Sequence, residues 1–222
     1  MAAQQANATT WHLVARYDKS HLQDLPRVVF PGPIHVVISP AEAARAVECL
    51  MNQPILGFDT ETRPSFQRGH RHQVALLQVA THDCCFLFRL CRTGLTDDIV
   101  RLLEDTQRTK VALSWHDDVL ALSHTRPFKP GSFVELQDEV KLLGIEDMSL
   151  QKIYANLLGE RICKSQQLSN WEADALSIAQ QQYAAIDAWA CIRIHERVQE
   201  LLRIGNYTLA PMNDEADIPE AR

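Results

Sequence analysis

Four acidic positions and one phenol carry the most legible chemistry of this chain, and they lie in three separate segments. Asp59 and Glu61 end the run Ile55-Leu56-Gly57-Phe58 at alternate positions. Alternate residues of a strand share a face, so both carboxylates would project from one side of a strand end. Such a pair repels unless cations lie between its members. A second acidic pair, Asp117-Asp118, follows the apolar run Val111-Ala112-Leu113-Ser114-Trp115. Acidic residues at a helix start often only complement the helix dipole, so this pair gains meaning from its place at the exit of a strand. Tyr183 and Asp187 stand four apart and share a helical face, while Ala184, Ala185 and Ala188 let that helix approach its neighbours closely.

Taken singly, each segment has a plain structural reading: a solvated strand end, a helix start, a surface pair. Together they offer carboxylate oxygens where a sheet end and a helix face could meet. Oxygen donors suit hard cations such as Mg²⁺ or Mn²⁺, whose shells water and substrate phosphate complete. Two such ions about 4 Å apart can stabilise both the attacking and the leaving oxygen of a phosphodiester displacement.

The elements that must position these residues alternate between strand and helix. Apolar runs of strand length occupy 55–61 and 74–80, with a shorter one at 85–88. Further strands are expected at 110–115 and 133–136, and 27–30 with 34–38 read as a hairpin-like entry around Pro31-Gly32-Pro33. Ser39-Pro40-Ala41-Glu42 begins a helix to about Met51, with Ser39 as cap, Pro40 in the first turn and Glu42 reaching back. Ile99, Leu102 and Leu103 form the apolar face of a helix near 98–104. Further helices are expected from about Asp117, near 139–143 and over 150–158. Ser177 and Gln180 make a second capping box, opening a helix that runs to about Leu202 before Gly205 stops it. Strands followed by helices imply an α/β sandwich with one mixed sheet. The expected organisation is a loosely ordered extension at 1–25, one domain at 26–205 and an acidic tail at 206–222.

The residues 58–64 (Phe-Asp-Thr-Glu-Thr-Arg-Pro), the Asp118 segment and Tyr183-Ala184-Ala185-Ile186-Asp187-Ala188 resemble the three exonuclease motifs of the DEDD superfamily. The tyrosine of the third motif resembles the DEDDy branch, near ribonuclease D and the Werner-syndrome exonuclease domain. Leu77-Gln78-Val79-Ala80, Leu136-Gln137 and Ser169-Asn170-Trp171 before Leu176 extend the likeness over about Val28 to Leu202. The resemblance implies a ribonuclease H-like fold, with a mixed five-stranded sheet flanked by helices. It implies 3′→5′ removal of nucleotides from DNA or RNA with release of nucleoside 5′-monophosphates, using two divalent cations, Mg²⁺ or Mn²⁺. It assigns Asp59, Glu61, Asp118 and Asp187 as metal ligands, choosing Asp118 over Asp117 by count from Lys110. Tyr183 takes the place of the tyrosine that positions the attacking water. Thr60, Arg63, Phe66, His116 and Lys164 are expected near substrate. A non-catalytic nucleic-acid-binding module that keeps the fold is the alternative; the presence of all five side chains counts against it.

Other signals carry less. His116-Asp117 could suggest a histidine–aspartate phosphohydrolase, but only His124 lies nearby to supply the further histidines that chemistry needs. His70, Arg71 and His72 with Arg63 and Arg68 read as a basic loop able to touch phosphates. The six cysteines include no pair at Cys-x-x-Cys spacing and read as reduced, mostly buried thiols. Trp115 and Trp189 read as packing residues. The formal charge of −6 argues against a basic coat and for engagement of a strand end only. No secretory signal or membrane-length apolar run is visible, so a cytoplasmic location is expected.

Overall fold

The computed structural model describes residues 10–65 and 72–210. In chain order the strands are β1 (Trp11–Val14), β2 (Ile34–Val37), β3 (Ile55–Thr62), β4 (Val74–Ala80), β5 (Cys85–Arg89), β6 (Thr109–Ala112), β7 (Phe133–Glu135) and β8 (Tyr207–Ala210). The α-helices are α1 (Pro40–Leu50), α2 (Leu90–Thr93), α3 (Asp97–Glu104), α4 (Trp115–Thr125), α5 (Leu136–Lys141), α6 (Leu150–Leu158) and α7 (Ile178–Ile204), and a 3₁₀ turn spans Lys19–Asp24.

Six strands form one sheet in the order β2-β5-β4-β3-β6-β7. Only β4 runs against the rest, pairing antiparallel with β3 and β5, while β2–β5, β3–β6 and β6–β7 are parallel. All seven residues of β4 are buried, as befits a central strand covered on both faces. One face packs against α5, α6 and α7. The other packs against α1, α3 and α4. The layering is helix, sheet, helix.

Both capping boxes form as the sequence predicts, at Ser39 with Glu42 and at Ser177 with Gln180. Gly205 ends α7 in the left-handed region at φ 69°. At 27 residues this helix extends about 40 Å. Gly57 of β3 allows it to lie close: a Cβ there would meet the Ala188 carbonyl oxygen at 2.0 Å.

Several expectations need correction. The sheet has six strands rather than five. Ile34–Val37, expected in a hairpin-like entry, adds parallel to β5 at one edge. Phe133–Glu135 adds parallel to β6 at the other, as expected, with the Phe133 ring stacked 4.1 Å from Trp115. The hairpin-like entry does not form. Residues 27–30 run irregularly, with Val28 and Phe30 buried in the α7-side core, and Gln182 of α7 accepts the Phe30 N–H at 3.2 Å in place of a strand partner. The strand expected at 110–115 ends at Ala112, and α4 starts at Trp115 because Ser114 turns into the left-handed region at φ 59°. Among the described residues of the two ends, β1 and β8 pair in parallel as a two-stranded sheet. All six cysteines are free thiols, but only Cys85 and Cys191 are buried; Cys49 and Cys91 lie on outward positions of α1 and α2. Trp115 is buried and Trp189 packs edge-on to Phe30, both as expected.

Lys110 of β6 is fully buried. Its Nζ donates to the Leu102 and Leu103 carbonyls at 3.1 and 2.9 Å and to that of Asp105, closing the C-terminal end of α3. Burial pulls its pKa down to about 8, against the attraction of Asp105. Among the described residues, no helix is long and apolar enough to cross a membrane.

Candidate active site

The site gathers at the end of β3. Asp59 and Glu61 project toward α7, and Asp187 meets them from that helix, so that one carboxylate oxygen from each lies within 4.8 Å of the others. The close approach at Gly57 and the run of alanines on α7 make this meeting possible. Tyr183 sits one turn before Asp187, is buried, and hydrogen-bonds the Asp187 carboxylate through its hydroxyl.

Asp118 arrives from the first turn of α4. Its Oδ1 accepts the Thr60 hydroxyl, and its charge acts on both Asp59 and Glu61. Asp118 is half-buried, whereas Asp117 and His116 on the same turn are exposed. The turn is held from outside: Glu135, at the end of β7, accepts the Ser114 and Trp115 N–H groups at 2.8 Å each. Gln137 adds a hydrogen bond to the Ser114 hydroxyl at 2.8 Å.

The electrostatics follow from burial and like charge. Burial, then Asp187, Asp118 and Glu61, hold Asp59 well above the carboxylate range. Burial and the charges of Asp187 and Asp118 push Glu61 up to about 9. Asp118 and Asp187 both rise to about 7, chiefly through burial; the Thr60 hydrogen bond opposes this in Asp118, and the Tyr183 hydrogen bond and Lys164 oppose it in Asp187. Four carboxyls so placed cannot all ionise together unless positive charge enters among them. Every donor is a carboxylate oxygen, the set that hard divalent cations take.

A cleft of about 320 Å³ opens onto this cluster, walled by Leu113, Leu150 and Ile162 on its apolar side and reached by Lys164 and Gln167. Of the residues expected near substrate, Thr60 and Lys164 line it. The Arg63 guanidinium pairs instead with Glu172 at 3.1 Å, and His116 points outward. Phe66, Arg68, His70 and Arg71 lie outside the described residues. Glu135 and the three apolar wall residues went unrecognised in the sequence, where they carry no pattern distinct from ordinary strand and helix positions.

A helix–sheet–helix layering in which the lone antiparallel strand follows the strand carrying Asp59 and Glu61 is a ribonuclease H-like fold. A family model described as 3′-5′ exonuclease matches residues 34–203. This chain therefore belongs to the 3′-5′ exonuclease family, hydrolases of the DEDD superfamily. It is 30% identical over 194 residues to the mouse bifunctional 3′-5′ exonuclease/ATP-dependent helicase WRN, covering 82% of this chain and 14% of that one. It is 34% identical over 148 residues to exonuclease 3′-5′ domain-containing protein 2 of Drosophila melanogaster, covering 65% and 25%. The chain thus spans a quarter or less of either relative. Among solved structures, the Aedes aegypti Nibbler EXO domain shares the fold at TM-score 0.70 and 22% identity, covering 89% of this chain and 94% of that one. Escherichia coli RNase D does so at TM-score 0.69 and 19% identity, covering 77% and 45%.

Proposed function

We propose that this chain is an active, metal-dependent exonuclease of the DEDDy branch that hydrolyses the last phosphodiester bond at the 3′ end of DNA or RNA and releases nucleoside 5′-monophosphates. The observation that carries the reading is the convergence of Asp59, Glu61 and Asp187, with Asp118 coupled to the first two. These four carboxylates would hold the cations. Two divalent ions so bound supply Lewis-acid stabilisation to a phosphodiester displacement.

The chain's own residues then have distinct tasks. Burial and the neighbouring acids raise the Tyr183 phenol far above its ordinary value, so it stays protonated and serves as a hydrogen-bonding guide for water rather than as a base. Lys164 brings positive charge to a cleft otherwise lined with acids, where a phosphate must enter. Leu113, Leu150 and Ile162 offer an apolar wall to a nucleobase. RNA belongs among the test substrates, since RNase D of Escherichia coli is described as an exoribonuclease involved in structured RNA processing.

The test is digestion of 3′- and 5′-labelled single- and double-stranded DNA and RNA with Mg²⁺ or Mn²⁺. Stepwise loss of the 3′ label as mononucleotide is expected, and Asp59→Ala should abolish it with the circular dichroism unchanged. Binding without hydrolysis in the wild type would mark a non-catalytic module instead. Wild-type turnover in Asp59→Ala would remove the site assignment.

A further inference from the structure

Gln78 stands in the centre of β4, and its side chain is fully buried. Among the described residues, neither its Nε2 nor its Oε1 has a hydrogen-bond partner. A buried amide left unpaired is costly. The strand does not need it: the flanking residues Leu76, Leu77, Val79 and Ala80 are apolar, and a leucine would suit the position.

The register indicates what the amide is for. Gln78 lies directly opposite Asp59 in the antiparallel β3–β4 pair. Opposed residues project from the same face of a sheet, with Cβ atoms about 4.5–5.5 Å apart. That face is the one α7 covers and the one from which Asp59 meets Asp187.

Beyond the Thr60 backbone N–H, which already acts on it, the Asp59 carboxylate has room for a further donor there. A carboxylate that binds a cation through one oxygen still has lone pairs to satisfy, and outer partners fix its orientation. Other nearby donors are committed: the Thr60 hydroxyl to Asp118 and the Tyr183 hydroxyl to Asp187. Ionised Glu61 and Asp187 only accept. A neutral amide orients a carboxylate without adding a positive charge that would compete with the cations.

We infer that Gln78 is a positioning residue: once cations draw the Asp59 carboxylate toward Glu61 and Asp187, the Gln78 side-chain N–H, unpartnered without them, donates to that carboxylate and holds it in place. This rests on the metal site of the proposed function. Within that site it assigns the orientation of the Asp59 ligand to a residue that touches neither cation nor substrate.

Calorimetric titration of the full chain with MnCl₂, without nucleic acid, separates the two readings. Gln78→Met and Gln78→Leu remove the amide at similar volume. Each should weaken Mn²⁺ binding by about 10–100-fold, while the melting temperature in EDTA stays level or rises because an unpaired buried amide is gone. Mn²⁺ binding equal to wild type in both variants overturns the inference alone. A lower melting temperature in EDTA for both variants also overturns it, assigning Gln78 to packing. Wild-type protein that takes up no Mn²⁺ removes the metal site, and this inference with it.

Discussion

At the scale of single residues, the cluster is a local conflict that the fold tolerates. Asp187 is 6% exposed and faces Asp59 and Glu61 within 4.8 Å. Without cations the three carboxyls repel, and holding them together costs stability. Asp187→Asn keeps the shape and the Tyr183 contact while removing one charge. In EDTA this variant should melt above the wild type, by about 2–4 °C for each kcal/mol of relieved repulsion in a domain of this size. In Mn²⁺ the order should reverse, since cations stabilise only the form that binds them. Calorimetry in the two buffers checks both halves, and a variant that melts lower in EDTA would contradict the repulsion account. The sequence already contains this conflict as spacing: Asp59 with Glu61 on alternate strand positions, Tyr183 with Asp187 one helical turn apart. What spacing alone could not separate was Asp117 from Asp118. That choice depends on which way the first turn of α4 faces, with Asp118 under the Thr60 hydroxyl and Asp117 in solvent.

At the scale of elements, Asp118 depends on a turn that local sequence does not announce. Ser114 has a positive φ without being glycine, a conformation that persists only when the surroundings hold it. Glu135 supplies that hold by accepting two backbone N–H groups of the turn, and a third from Gln137 at 3.1 Å. Glu135→Ala would strand those donors, costing about 1–3 kcal/mol in urea unfolding. It should also lower kcat, because the start of α4 carries Asp118. Glu135→Gln, whose amide oxygen still accepts, should recover part of both losses. A kcat unchanged in Glu135→Ala would show that the turn holds without it. The contrast with the capping boxes explains what was legible. Ser39–Glu42 and Ser177–Gln180 close within three residues, so their residue types predict them. The bonds that end β6 at Ala112 span about 20 positions and leave no periodic trace.

At the scale of the whole molecule, the pairing of Trp11–Val14 with Tyr207–Ala210 escaped the sequence for the same reason, carried further. β1 and β8 pair although Thr10 and Asn206, which hydrogen-bond beside them, are 196 positions apart. Neither four-residue strand has enough pattern to stand out alone, and each is stable only against the other and the core. β1 is tied in along its length. Leu13 is 1% exposed within the α7-side core. Asn156 of α6 bonds both the N–H and the carbonyl of Val14, at 3.1 and 2.8 Å. The Arg197 guanidinium lies 3.5 Å over the Trp11 ring. Leu13→Ala should therefore cost about 2–5 kcal/mol, as for a core leucine and unlike a residue of a frayed terminus. Chemical denaturation measures it directly. A loss below about 0.5 kcal/mol, the range of an ordinary surface substitution, would return this segment to a loose extension. A loss of the full size makes the paired ends part of the platform on which α6 and α7 rest, the helices that deliver one wall of the cleft and the carboxylate of Asp187.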